Sequence, residues 1–455
     1  MYIKGRYIVS ACALLFLQQA QANGMDCTKA SNAVESAICA SKNLYELDSR
    51  MGTLYRDLMK VTDPSRTDVK TAQRQWLKVR NQCTNDVDCL QQRYLERLQV
   101  LNAQWVEAAA YQPDDVDQQA MVDLQQRIQA MAKENPEFAL ERALESLSVK
   151  TGSTTFSDES GEDDQTFFPK AQPTEVTPDE WRALTASGIT GAADFGPSSY
   201  TLMDLDGDGQ RDLIVSTYTG GTGLFTYTET FRRTANRFIR RSAVPDPDSS
   251  ESSLFYTNDR GANQANDWIN IRGRIYAAYR NSAFGIDRLQ LLNPLKINSS
   301  VPVVTVRYRY DLEVPGTQHK DDGVTPFELE PDLRLALNKA LVEVNQTGVG
   351  HTHARKEPLC PVPPIGAGEY DYYTYGPGHY TIEMVADLPV IIGSDCYIGT
   401  LVDWFGSYSK SSGLFAQLAI RKPEAESGHS YEVNGRRHLT EVSTSMEKVE
   451  ADNSL

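Results

Sequence analysis

Asp204-Leu205-Asp206-Gly207-Asp208-Gly209-Gln210-Arg211-Asp212 sets carboxylates at alternating positions of one short stretch. Alternation turns them toward a common point, Gly209 permits the sharp bend, and a hard cation such as Ca²⁺ asks for this oxygen-only shell. The expected ligands are the side chains of Asp204, Asp206, Asp208 and Asp212, with the Gln210 carbonyl. The stretch departs from an EF-hand: Val215 stands where the closing Glu would be, and the flanks Tyr200 to Met203 and Leu213 to Ser216 read as strands. An ion so placed orders a loop and need not catalyse anything. A weak internal echo links Ser199–Phe225 with His379–Phe415, but the later copy near Met384 lacks the carboxylates, so a single calcium site is expected.

Over about fifteen residues this stretch resembles the strand–loop–strand calcium loops of FG-GAP-type β proteins; no blade repeat follows, so a propeller is not implied. Other candidate chemistry is thinner. His351 and His353 could share one strand face for a metal, yet they lie in a polar stretch without a third ligand and read as solvated. Tyr370, Tyr372, Tyr373 and Tyr375 precede Gly376-Pro377-Gly378; sheet packing and turn formation explain them more simply than a glycan-binding surface. There is no Gly-x-Ser-x-Gly elbow, no His-Glu-x-x-His and no phosphate loop. The chain therefore reads as a binder rather than an enzyme.

A length of 455 residues implies two or three domains, and a hydrophobic share of 40% supports real cores. A net charge of −16 argues against nucleic acid as partner, because phosphate binding wants a basic patch. Lys4 and Arg6, the apolar run Ile8 to Leu17 and the small residues of Ala20-Gln21-Ala22 form a secretory signal, with cleavage expected after Ala22. Val9-Ser10-Ala11-Cys12 looks like a lipoprotein box, but it sits inside the apolar run with almost no hydrophobic region before it. No later segment is long and apolar enough to span a membrane, so the expected location is the periplasm.

Export leaves Cys27, Cys39, Cys83, Cys89, Cys360 and Cys396, an even number that reads as disulfides. Six cysteines allow fifteen pairings. Proximity suggests Cys27–Cys39, Cys83–Cys89 and Cys360–Cys396. Around the first four, apolar residues recur at helical spacing. One helix runs from Asn32 into Cys39, and a second, from Asn43 to Lys60, carries Leu44, Leu47, Met51, Leu54, Tyr55 and Leu58. A third carries Val69, Ala72, Trp76 and Val79, and a fourth Leu90, Tyr94, Leu98 and Leu101, with Trp76 and Tyr94 as the large core residues.

Residues 27 to about 101 resemble the LprI family of lysozyme inhibitors. The likeness rests on Cys27 with Ala30, Glu35 with Ile38 and Cys39, Leu47-Asp48 and Tyr55, then Gln73, Trp76, Leu77, Arg80 and Cys83, then Cys89-Leu90, Tyr94 and Arg97. It implies an exported helical domain that binds and blocks a lysozyme. The stretch itself is roughly charge-neutral, so attraction of a basic lysozyme finds no support in its composition.

The expected organisation is a signal peptide (1–22), an LprI-like helical domain (23–110), a helical extension (111–147), an acidic linker (148–176), a β-rich domain with the calcium loop (177–440) and a disordered tail (441–455). The extension carries Met121, Leu124, Ile128 and Met131 on one face; Thr177-Pro178-Asp179-Glu180 is a capping box opening a helix; another helix spans Glu330 to Val344. Strands are expected at Thr217 to Phe231, Phe238-Ile239, Trp268 to Tyr279, Val301 to Leu312 and Tyr380 to Ala386. The fold class is α+β. Three functions fit: a non-enzymatic inhibitor of an envelope-targeting hydrolase, most simply a lysozyme; a periplasmic immunity protein against a delivered toxin; or an enzyme acting on envelope glycans through the β-rich domain.

Overall fold

A computed structural model describes residues 25–61, 67–157, 168–189, 197–221, 224–240, 253–258, 263–320, 323–347, 360, 382–411 and 413–448. The expected signal peptide, the tyrosine cluster and His351, His353 and His379 lie outside these residues. The chain divides into two compact units at Ala109/Ala110, the first helical and the second strand-rich, so the α+β class holds.

The first unit comprises α1 (Ala33–Ala40), α2 (Lys42–Val61), α3 (Thr67–Arg80) and α4 (Val87–Ala109). Asn32 caps α1 by accepting the Glu35 N–H. Leu44, Leu47, Met51, Leu54 and Leu58 of α2 are buried as the spacing predicts, with Leu90, Tyr94, Leu98 and Leu101 of α4. Helix α3 is turned away from the predicted face: Val79 is 39% exposed, and Val69, Gln73 and Arg80 are the residues buried. Polar partners described below stabilise that rotation. The disulfides Cys27–Cys39 and Cys83–Cys89 staple the bundle.

The second unit opens with α5 (Asp115–Glu134) and α6 (Ala139–Leu147), followed by β1 (Thr154–Ser157), α7 (Pro178–Ser187), β2 (Ser198–Met203), β3 (Asp212–Gly220), β4 (Phe225–Arg233), β5 (Phe238–Arg240) and β6 (Phe255–Asn258). It continues with β7 (Gln264–Ile271), β8 (Arg274–Ala283), β9 (Ile286–Leu292), β10 (Ser300–Glu313), β11 (Thr317–His319), β12 (Pro326–Glu328) and α8 (Pro331–Thr347). The last four strands are β13 (Ile382–Ile392), β14 (Asp395–Ser409), β15 (Gly413–Arg421) and β16 (His429–Lys448). One sheet has the order β1-β2-β3-β4-β5 with β6 also on β4; a larger one runs β13-β14-β15-β16-β10-β9-β8-β7; β11 and β12 form a ribbon. The pairs within both larger sheets are antiparallel.

One face of the larger sheet buries α5, α6 and α8 through Met121, Leu124, Ile128, Leu140, Leu337 and Leu341 against Ile269, Tyr276, Val304, Val306 and Leu418. Helix α7 covers the smaller sheet through Ala183 and Leu184 on Tyr200, Leu213 and Phe231. The smaller sheet also meets the larger, where Leu254 and Phe255 pack on Ala277, Tyr279 and Val303.

Four expectations are corrected here. The helical extension 111–147 is not a separate segment: its apolar face packs on the large sheet, so it belongs to the second unit. The segment expected as a linker supplies β1, which pairs with β2 from Thr154↔Leu202 to Ser157↔Ser199. The tail begins inside β16, whose pairing with β10 runs to Lys448↔Ser300. The long strand expected from Trp268 to Tyr279 is a hairpin, β7–β8, turning at Arg272 and Gly273 with φ of 54° and 76°. Cys360 and Cys396 are paired, as proximity suggested.

Candidate functional site

The acidic loop is the connection between β2 and β3, strands whose register Met203↔Asp212 closes its two ends. Gly207 and Gly209 take φ of 76° and 84°, which side chains with a Cβ rarely adopt, so the loop doubles back on itself. Asp204 accepts the N–H groups of Gly207 (2.8 Å) and Gly209 (3.0 Å), Asp206 accepts that of Asp208 (3.3 Å), and Asp208 accepts that of Gln210 (2.8 Å). These bonds bring one oxygen each of Asp204, Asp206 and Asp208 within 4.8 Å of one another. They form the only such His/Cys/Asp/Glu group among the described residues. Gln210 lies in the same loop, held through its backbone.

Asp212 is placed differently from the expected ligand set. It opens β3, is 1% exposed, and gives both carboxylate oxygens to backbone N–H groups, Leu205 at 3.0 Å and Arg233 at 2.7 Å. It clamps the loop base to β4. Burial pushes its carboxyl up to about 7 against those two N–H bonds, with Asp206 and Asp208 adding to the rise. Arg232 pairs with Asp206 at 2.8 Å from the neighbouring strand.

Arg211, next in the loop, ties it to two other elements. Its guanidinium reaches both oxygens of Glu180 (2.8 and 2.7 Å), Thr154 of β1 (2.6 Å) and the Glu175 carbonyl (2.9 Å). Glu180 also closes the capping box of α7, accepting the Thr177 N–H at 2.8 Å while Thr177 accepts the Glu180 N–H at 3.3 Å. Burial pushes the Glu180 carboxyl up, but Arg211 and Thr177 outweigh it and hold it at about 2. A carboxyl depressed in the fold adds stability above its ordinary value of 4.5 and loses it as pH falls toward 2. The Glu180→Gln variant is therefore expected to be less stable than the parent at neutral pH. The gap should narrow on acidification through that window, read by thermal melts at stepped pH; a constant gap would count against the ion pair.

In the helical unit a second polar constellation is buried. The Tyr94 hydroxyl donates to Asp48 (2.7 Å) and accepts from Arg80 (2.8 Å). Arg80 lies 3.8 Å from Asp48 and also donates to the Asn81 side chain at 3.2 and 2.9 Å. The Trp76 indole donates to the Arg93 carbonyl (3.2 Å) and meets the Tyr94 ring edge-on at 5.3 Å. Arg97 donates to Gln73 (2.9 Å), which contacts the Met51 sulfur. Asp48, Gln73, Arg80 and Arg97 are all under 9% exposed. Sequence reasoning missed this network, although its signal was present: polar residues at positions 73 and 80 share a helix face with Trp76 and Val69.

The first unit is a small helical domain with two short-range disulfides and a polar core centred on Asp48, Arg80 and Tyr94. Residues 26–101 match the model of a family described as Lysozyme inhibitor LprI. The chain is 31% identical over 77 residues to Lipoprotein LprI of Mycobacterium tuberculosis, and equally to Lipoprotein LprI of Mycobacterium bovis. The aligned part is 16% of this chain, and it spans 38% of the length of those relatives. No solved structure matches the chain. The N-terminal unit is thus an LprI-like domain, and the residues that carry the likeness are in large part the buried ones. The buried ones hold the domain together. Among the described residues no helix is long and apolar enough to cross a membrane.

Proposed function

We propose that the protein is exported to the periplasm and that its LprI-like domain docks on a hydrolase that attacks the cell envelope, most simply a lysozyme, and blocks it. The observation that carries this reading is the family match over residues 26–101, with its four cysteines paired. The role is that of a non-enzymatic binding module. Purified chain lacking the signal peptide is expected to slow turnover of a peptidoglycan suspension by egg-white lysozyme as the molar ratio approaches one to one. No slowing and no complex across a panel of lysozyme types would sink the reading. Capture instead of a toxin encoded beside this chain would replace it with immunity.

The β2–β3 loop is read as a structural calcium site, with Asp204, Asp206, Asp208 and the Gln210 carbonyl as ligands; the convergence of three carboxylates supports it. Asp206→Ala is expected to lower the melting temperature of the strand-rich unit in calcium buffer and to leave it nearly unchanged in chelator. Its ion pair with Arg232, whose side chain is 58% exposed, is worth little by itself. Equal shifts in both buffers would refute an ion-based role.

A further inference from the structure

We propose that the disulfide-closed segment Thr84–Asp88, a turn with the first two residues of α4, is the element of the helical unit that enters the partner hydrolase's substrate cleft. The inference rests on the lysozyme-binding reading above and names the contact that reading leaves open. Thr84, Asn85, Asp86, Val87 and Asp88 are five consecutive exposed residues between buried Cys83 and half-buried Cys89. The disulfide holds the two ends at a Cα separation of 5.6 Å. Inside the turn, Asp86 donates its N–H to the Cys83 carbonyl (3.0 Å) and accepts the Cys89 N–H on its side chain (3.0 Å). Thr84 takes a φ of 52°, outside the ordinary range for a residue with a Cβ.

The buried network supplies the footing. Arg80, fixed by Tyr94 and Asp48, grips the Asn81 side chain immediately before the turn. Arg80 thus acts as a positioning residue for the protrusion. A segment already held in its bound shape loses little conformational freedom on docking, and enzyme–inhibitor pairs typically meet this way. The tip chemistry fits a concave glycan-binding groove on a cationic protein: Val87 is 44% exposed, Asp86 and Asp88 are acidic, and the turn has no Lys or Arg.

The test compares the full exported chain with a Val87→Arg/Asp88→Lys variant and with Val100→Arg, an exposed site on α4, using egg-white lysozyme as the probe. Calorimetric affinity and inhibition of turnover are read together, with thermal melts and thiol titration to show that each variant is folded and disulfide-bonded. The turn variant is expected to bind at least tenfold more weakly and Val100→Arg to bind as the parent does. If the double variant does not fold, Val87→Ser is read in its place, with a severalfold loss expected. Parent binding with an unaffected turn variant overturns the assignment of the turn while leaving the lysozyme reading intact. Absence of binding by the parent chain overturns both.

Discussion

Replacing Arg437 with methionine is expected to cost the strand-rich unit about 3–5 kcal/mol, the usual penalty for removing one partner of a buried ion cluster. Arg437 lies on β16 and is 4% exposed. It donates to Glu141 of α6 at 2.6 Å and to the Glu137 carbonyl at 2.8 Å, and it lies 3.6 Å from Asp287 of β9. Its guanidinium sits 4.3 Å from the Tyr408 ring centroid, 4.4 Å from Tyr308 and 5.7 Å from Phe138. One side chain thus joins β9, β10, β14 and β16 to the start of α6. Methionine keeps the packing and leaves Asp287, 5% exposed, as a buried carboxylate without its cation. The melting temperature should fall by on the order of 10 °C. The double variant Arg437→Met/Asp287→Leu should recover much of the loss, because no charge is then stranded. Arg437→Lys should fall between, since an ammonium cannot stack flat between two rings. A small shift for Arg437→Met, or no recovery in the double variant, would show that the cluster does not hold the sheet to the helix.

Nothing in the sequence pointed to Arg437, and the reason is physical. On β16 (His429–Lys448) the buried positions Val433, Gly435 and Arg437 alternate, but only the first is apolar, so the apolar period lapses just where Arg437 turns inward. Its partner on one side, β10, begins at Ser300, so the pairing is wholly non-local. What was legible was local. The stripe on α2, the Thr177–Glu180 capping box, the cysteine pairs and the strands flanking the acidic loop each depend on residues a few positions apart. The convergence of Asp204, Asp206 and Asp208 was legible for the same reason, since they lie within five residues of one another. Asp212 was expected beside them but opens β3, where its oxygens accept the N–H groups of Leu205 and Arg233, a pairing that depends on the distant strand β4. The placement of α5 and α6 also depended on a distant surface: their apolar faces were visible, but the sheet they cover is completed only by strands far along the chain.

For the LprI-like domain, Arg80→Met is expected to cost about 3–5 kcal/mol. That is a large part of the total stability, on the order of 5–15 kcal/mol, that a domain of this kind has. Arg80 and Asp48 have side chains only 9% and 11% exposed, and Arg80 is the only cation on Asp48 within 4 Å among the described residues. Removing it leaves Asp48 with the Tyr94 hydroxyl and the Met25 N–H at 2.9 Å, short of what a buried carboxylate needs. Tyr94→Phe removes one hydroxyl from between two charged groups that remain close to each other, and should cost less, about 1–3 kcal/mol. The order Arg80→Met, then Tyr94→Phe, is the signature of a polar core, read by calorimetry as the loss of the helical unit's transition while that of the strand-rich unit stays in place. A surface contact would behave in the opposite way. If Arg80→Met melted like the parent, the Asp48–Arg80–Tyr94 cluster would not hold the helical unit, and the footing it gives the stapled turn would be lost with it.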